Sequence, residues 1–281
     1  MNATQTDRLL VNEAVATGDG VIPFFQPIIT KDPTHLCYEV LGRLQVNGTT
    51  LNPSQFLPLF EGTTLQAEFD AKILVAAIRQ VAVWRSHGTF IHVHVNASTE
   101  VLEHATYVPL IQETLATHDV PAQCLTVEIL ETCRRFWENR KILSTLRALR
   151  FTGVQIAIDD FPTCDDPDDL LQWMRLQHGN FHVLKLDRSI VQDACNGTGK
   201  TKETAVNSVQ GYVEFAKRQG MHIVAEGVEN SEDMDAMWKL GAHELQGFGI
   251  GKPTSATQAY HLSHTHSIPA SPAAYTHLAW Q

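Results

Sequence analysis

Eight apolar runs of strand length, most followed by a stretch with helical periodicity, constrain this chain more than any other feature. They are FFQPII (24–29), LCYEVLGRL (36–44), FIHVHVNAS (90–98), CLTVEIL (124–130), VQIAIDD (154–160), HVLKLDR (182–188), HIVAEGV (222–228) and ELQGFGI (244–250). Most are too short and too rich in Val and Ile to be helices. Between them the spacing predicts helices over 65–86, 105–118, 138–150, 166–176, 202–219 and 231–240. The last opens with Asn-Ser-Glu-Asp-Met, where Ser231 is a candidate N-cap with carboxylates in the first turn.

Strand–helix alternation repeated this often predicts parallel strands joined by right-handed crossovers. Eight such strands close a barrel at roughly 250 residues, and the chain has 281. Only six residues separate the first two runs, too few for a helical crossover, so these two are expected to be antiparallel. The expected fold is α/β, a TIM-like (β/α)8 barrel with an antiparallel first strand. A doubly wound open sheet is the alternative, but no glycine-rich phosphate fingerprint follows any run.

Charge narrows the partners. With 31 acidic and 21 basic residues the formal net charge is −10, which speaks against a nucleic-acid polymer. A small anion held through a bound cation remains compatible, because the ion inverts the local charge logic. The five cysteines, at 37, 124, 133, 164 and 195, show no Cys-x-x-Cys spacing. Most lie in or beside apolar runs, as reduced thiols of a cytoplasmic protein would. No apolar run approaches transmembrane length and the polar start lacks a signal-peptide core. The expected layout is a short extension over 1–20, a barrel domain over 21–262 and a loosely ordered tail over 263–281. The histidines near that tail, in HLSHTHS, read as solvated rather than metal-binding, since no carboxylate or Cys accompanies them.

Polar residues interrupt these runs late in each. Glu39, Asn96, Glu128, Asp159 with Asp160, Lys185, Glu226 and Gln246 each sit towards the end of a different run. In a barrel the C-terminal ends of parallel strands converge on one mouth, where active sites are built. One acid there could be a structural ion pair. So many carboxylates in one low-dielectric cavity repel each other unless a cation neutralises them. Carboxylates with an amide oxygen, and no Cys or His, suit Mg²⁺ or Mn²⁺ rather than Zn²⁺. Adjacent aspartates project to opposite sides of an ideal strand; if both reach the mouth, the strand must be ending, and the pair can then hold two ions. Two ions are the arrangement that clamps attacking and leaving oxygens in phosphoester hydrolysis. Lys185 would orient the attacking water, or else serve as a structural lysine paired to an acid. An enolase-like proton abstraction uses similar parts, but the asparagine, the aspartate pair and Gln246 fit it poorly.

These fragments together resemble the EAL-domain cyclic-di-GMP phosphodiesterases over about 22–255. FFQP resembles that family's opening strand and YEVLGRL its signature, with Glu39-Val40-Leu41 where Glu-Ala-Leu is commonest. VNAS, EILE, IAIDDF, LKLDRSIV, VAEGVEN and LQGFGIGKP follow in the family's order. The resemblance implies hydrolysis of cyclic di-GMP to linear pGpG with Mg²⁺ or Mn²⁺, with two ions; Ca²⁺, larger and indifferent to octahedral geometry, is expected to inhibit. It implies that Glu39, Asn96, Glu128 and Asp159 hold the first ion and that Asp160, with Asp159 bridging, holds the second. Lys185 and Glu226 are similar to the residues that position the water, and Gln246 to the one completing their hydrogen-bonded shell. Leu41 and Arg43 match substrate-contacting positions, Arg43 towards a phosphate, and Gln26 and Pro253 match positions near the guanine. Glu131 resembles the anchor of the loop after the aspartate pair, and Glu229 a structural brace. A homodimer is implied as well.

The departure lies after Asp160. The family continues with Phe-Gly-Thr-Gly-Tyr-Ser-Ser; here Pro162 and Cys164 replace the glycines and Asp-Asp-Pro-Asp-Asp replaces the rest. Pro fixes φ near −65° and lacks an N–H, so this loop cannot follow the same path. Asp165 or Asp166 is expected to cap a helix starting near Pro167, or else to supply a replacement ligand. Every ligand position and the lysine are filled, which favours an active phosphodiesterase. The loop alone favours the alternative, a cyclic-di-GMP-binding or protein-binding signalling module. No cyclase, PAS or receiver pattern flanks the barrel, so regulation is expected from expression, dimerisation or a partner.

Overall fold

The structure is a computed structural model that describes residues 5–32, 35–60, 63–130, 138–162 and 181–265, with 168, 171 and 174 between them. Its strands are β1 (Val21–Thr30), β2 (Leu36–Val46), β3 (Thr49–Leu51), β4 (Ile91–Ala97), β5 (Leu125–Leu130), β6 (Gln155–Phe161), β7 (Val183–Leu186), β8 (His222–Ala225) and β9 (Glu244–Gln246). The sheet runs β1-β9-β8-β7-β6-β5-β4-β2-β3 and a further β1–β2 pairing closes it. Eight strands thus form the barrel, and β3 is an added hairpin strand on β2. β1 is antiparallel to both β2 and β9, while the other barrel pairs are parallel, so the reversed first strand is where the short connection required it.

Side-chain alternation sorts the strand residues into two environments. One face of each strand joins the helices in a large apolar core; Phe25, for example, packs against Trp84 with ring centroids 4.8 Å apart. Helix Leu65–Ser86 fits that face because Leu65, Phe69, Ile73, Leu74, Ala77, Ile78, Val81 and Trp84 recur at helical spacing and are all buried. The lumen of the barrel holds a much smaller apolar cluster of Ile28, Cys37, Ala157, Val183 and Val224. Its remaining volume is polar, and this is what makes room for a site.

Helices Leu65–Ser86, Tyr107–Thr117, Arg140–Arg150, Gly199–Gln219 and Ser231–Leu240 fall where periodicity places them. The cap of the last is Asn230, not Ser231: the Asn230 side chain accepts from the Asp233 N–H at 2.9 Å, and Ser231 is already the first helical residue. Of the expected 166–176 helix, residues 168, 171 and 174 are helical, and the proposed caps Asp165 and Asp166 lie outside the described residues. Helices Gln5–Thr17, Arg188–Asn196 and Ala256–Thr265 were not anticipated. The tail beyond 265 also lies outside the described residues.

Two strands stop earlier than their apolar runs. β8 ends at Ala225 because Gly227 takes φ +67°, and a Cβ there would stand 2.2 Å from Arg188 Cγ. β9 ends at Gln246 because the next residue passes so close to the preceding loop that a Cβ on Gly247 would meet the Val228 carbonyl oxygen at 2.1 Å. No helix among the described residues is long and apolar enough to cross a membrane.

Candidate active site

Six strands deliver a polar side chain to the lumen near their C-terminal ends, and a seventh does so one residue beyond its end. Glu39 comes from β2, Asn96 from β4, Glu128 from β5, Asp159 from β6, Lys185 from β7 and Gln246 from β9, and Glu226 follows β8 by one residue. They meet around Lys185, which is 0% exposed. Its Nζ lies 2.8 Å from Asp159 Oδ1, 2.8 Å from Glu226 Oε1, 2.9 Å from Glu128 Oε1 and 3.5 Å from Glu39 Oε2. The amides orient Glu39 from both sides: Asn96 Nδ2 donates to Oε1 at 2.9 Å and Gln246 Nε2 to Oε2 at 2.5 Å. Four of the five acids expected at the mouth, Glu39, Glu128, Asp159 and Glu226, are therefore brought together.

Asp160 joins them by a backbone device. β6 does not end at the aspartate pair; it continues to Phe161, with Asp160 at φ +57° and the β6–β7 register shifting between Ile158 and Phe161. Asp tolerates this left-handed conformation better than most residues. Asp159 and Asp160 thereby both line one cavity of about 420 Å³, with Gln26, Leu41, Glu226 and Gln246 among its other walls. A larger hollow of about 670 Å³ lies beside Lys72 and Arg79, but no convergent acids line it.

Donor atoms of Glu39, Glu128 and Asp159 lie within 4.8 Å of one another, and so do those of Asp159, Asp160 and Glu226. The two sets share Asp159. Burial pushes the Glu128 and Glu226 carboxyls well above their usual range and raises Asp159 too, against the opposing charge of Lys185. Burial acts likewise on Glu39, but Lys185 and the two amide donors outweigh it and its carboxyl is lowered. Asp160 is pushed up to about 6, by burial first and then by Asp159. Burial opposes the charge on the Lys185 ammonium, but Asp159, Glu128, Glu226 and Glu39 outweigh it and keep it charged.

Five carboxylates against one ammonium leave a surplus of four negative charges if all are ionised. Glu128 Oε2 and Gln246 Oε1 are buried without a hydrogen-bond partner. Orphaned acceptors beside uncompensated carboxylates are what an absent cation leaves behind, so these residues fit a metal. Oxygen donors alone define the set.

The outer positions are less uniform. Gln26 donates to the Gly251 carbonyl at 3.2 Å and, with Leu41, lines the cavity. Arg43 is not on its wall; the guanidinium lies 5.2 Å over the Phe24 ring and donates to the Gly42 carbonyl. Pro253 is also off the wall, next to Thr254, which pairs with Phe25. Glu229 lines the cavity and is paired with Arg188, while its N–H donates to Asp233 at 3.0 Å. Glu131 lies outside the described residues.

Three residues near the site escaped the sequence reading. His94 Nδ1 is 2.8 Å from Glu128 Oε1, and its position two before Asn96 on a strand was the available signal. Arg188 and Phe248 line the cavity, and Phe248 is 62% exposed. Both sit within the fragments LKLDRSIV and LQGFGIGKP, but nothing in the sequence marks them as cleft residues.

A closed barrel with one reversed strand and a buried acidic mouth around a lysine defines the class. The family model for the EAL domain matches residues 11–253, and the chain belongs to that family. It is similar to the signaling protein YkoW of Bacillus subtilis, 26% identical over 253 residues, covering 89% of this chain and 30% of that protein. It is also similar to the cyclic di-GMP phosphodiesterase PA2567 of Pseudomonas aeruginosa, 27% identical over 246 residues, covering 86% of this chain and 40% of that protein. The chain thus spans less than half the length of these curated relatives. Among solved structures it is similar to the PaMucR phosphodiesterase in its c-di-GMP complex, with a TM-score of 0.76, 27% identity, and coverage of 89% of this chain and 98% of that one.

Proposed function

We propose that this chain hydrolyses one phosphodiester of cyclic di-GMP to give linear pGpG, using two Mg²⁺ or Mn²⁺ ions. The observation that supports the reading is the double set of oxygen donors sharing Asp159, one set buried and the other partly so, in which five carboxyls face a single ammonium. Glu39, Asn96, Glu128 and Asp159 would hold one ion, and Asp160 with Asp159 the other. When bound, such ions polarise the phosphodiester and lower the pKa of an attacking water.

The chain's own groups do the positioning. Lys185 Nζ is held by Asp159, Glu226 and Glu128; with those carboxylates drawn to bound ions, it would turn a donor to the attacking oxygen and to charge developing on the phosphate. Glu226 accepts from that ammonium and orients the water from the other side. Gln246 and Asn96 hold the Glu39 carboxylate in one orientation, which keeps its oxygens aimed at the ion. Gln26, Leu41 and the exposed Phe248 ring line the cavity where a guanine would stack or hydrogen-bond. Arg43 and Pro253, which stand off the cavity wall, are assigned outer substrate contacts on the family pattern alone. Glu229, through Arg188, braces the loop after β8.

Ca²⁺ competes for the same oxygens but does not impose octahedral geometry, so it inhibits. We extend to this chain the family's homodimer and a cytoplasmic setting, with the barrel over 21–262 as the working unit. The test is turnover of cyclic di-GMP by purified protein in Mg²⁺ or Mn²⁺, with the product identified by chromatography. Formation of pGpG supports the reading. Tight binding without turnover would favour the second one, a cyclic-di-GMP-binding module, to which the Pro162 and Cys164 replacements point.

A further inference from the structure

The other end of the barrel lumen carries a second set of donors that the chemistry at the mouth does not use. Cys37, His94 and Glu244 precede Glu39, Asn96 and Gln246 by two residues each, so strand alternation puts them on the same inner face, one layer deeper. All three are buried, and their donor atoms lie within 4.8 Å of one another. They border a cavity of about 10 Å³, the size of one water or one ion, closed further by His35, His92 and His222.

We propose that Cys37, His94 and Glu244 bind one borderline-soft divalent cation of the Zn²⁺ class, at a site separate from the oxygen-donor site at the mouth. The donor set is the first argument. Thiolate, imidazole and carboxylate together select Zn²⁺ or a similar transition ion over Mg²⁺, which takes oxygen. Charge balance is the second. An ion of charge +2 with one thiolate and one carboxylate is neutral overall, and binding releases the thiol proton to solvent. The third is the surrounding shell. His94 Nδ1 is already engaged by Glu128 at 2.8 Å, which leaves Nε2 for the ion. Carboxylate–histidine–metal triads are built in this way. His222, partly exposed on the wall of the same cavity, holds its Nδ1 3.4 Å from Glu244 Oε1 and so helps to orient that carboxylate.

Occupancy would fix the orientation of His94 and, through it, of Glu128 at the mouth. The site itself stands whether or not the chain hydrolyses cyclic di-GMP.

The test uses the full chain, stripped with a chelator and then titrated with Co²⁺ in excess Mg²⁺ to fill the mouth. One equivalent of Co²⁺ should produce a near-ultraviolet thiolate-to-cobalt band and the intense visible bands of a four-coordinate ion, and Zn²⁺ should erase both. Cys37→Ser should remove the near-ultraviolet band, Glu244→Gln should weaken binding at least tenfold, and Cys195→Ser should change neither. Absence of a thiolate band in the wild-type protein overturns the proposal with no variant needed. So does a band that survives Cys37→Ser, or unchanged affinity in Glu244→Gln. Because the readout is optical, loss of turnover leaves it untouched.

Discussion

Lys185 shows how a single side chain can be both structure and machinery. It is fully buried and faces four carboxylates, so its removal leaves them without their counter-charge. Breaking a buried pair from one side costs about 3–5 kcal/mol. Lys185→Met should therefore lower the stability of metal-free protein by about that amount, and Mn²⁺ should restore part of it; denaturant melts with and without Mn²⁺ check this. Glu39→Ala removes the carboxylate that Asn96 and Gln246 orient. Turnover should fall by about 10² or more, and an unchanged rate in a product assay would remove Glu39 from the ion site. Asp70 offers a test away from the mouth. Burial pushes its carboxyl up to about 6, opposed by hydrogen bonds from Ser98 and Gln66. The folded state therefore holds this proton more tightly than the unfolded chain, whose value is 3.8. That stabilisation is fully present below the unfolded value and is lost as pH rises through about 6. Relative to Asp70→Asn, the wild type should lose about 2.4 kcal/mol between about pH 4 and about pH 7. A stability difference that stays flat with pH contradicts it.

At the scale of elements, the helices were legible because one helical face is continuously apolar. Leu65–Ser86 and Ser231–Leu240 match their expected spans for that reason. Strand ends were less legible. The runs through 228 and 250 stay apolar past the true ends of β8 and β9, and what stops them is backbone crowding at Gly227 and Gly247. The Asp160 turn was half visible: the pair predicted a break in alternation, but a break by positive φ inside a continuing strand depends on the β6–β7 register. Helix capping is a local matter that hydrogen bonding decides between adjacent candidates. Asn230 rather than Ser231 satisfies the first turn, so Asn230→Ala should cost about 1 kcal/mol while Ser231→Ala costs far less. Thermal melts of the two variants compare them directly.

For the whole molecule, ligand linkage gives the cleanest test of binding apart from turnover. Cyclic di-GMP added with Ca²⁺, at about 100 times its Kd, should stabilise the fold by about 2.7 kcal/mol. No shift in melting would argue against nucleotide binding altogether. On the proposed reading that stabilisation should require the metal, since two anionic phosphates would otherwise meet an acidic mouth.

By itself the sequence determined the barrel, its reversed first strand, and the polar residues that share an inner face, because period-two alternation and loop length are local properties. The order of its fragments was enough to resemble the family. Tertiary structure alone decided that Lys185 touches four acids, that Arg43 and Pro253 stand back from the cavity wall, and that Cys37, His94 and Glu244 meet deeper in the lumen. Those contacts join strands far apart in the chain, and their distances are set by closure and register, which no local pattern encodes.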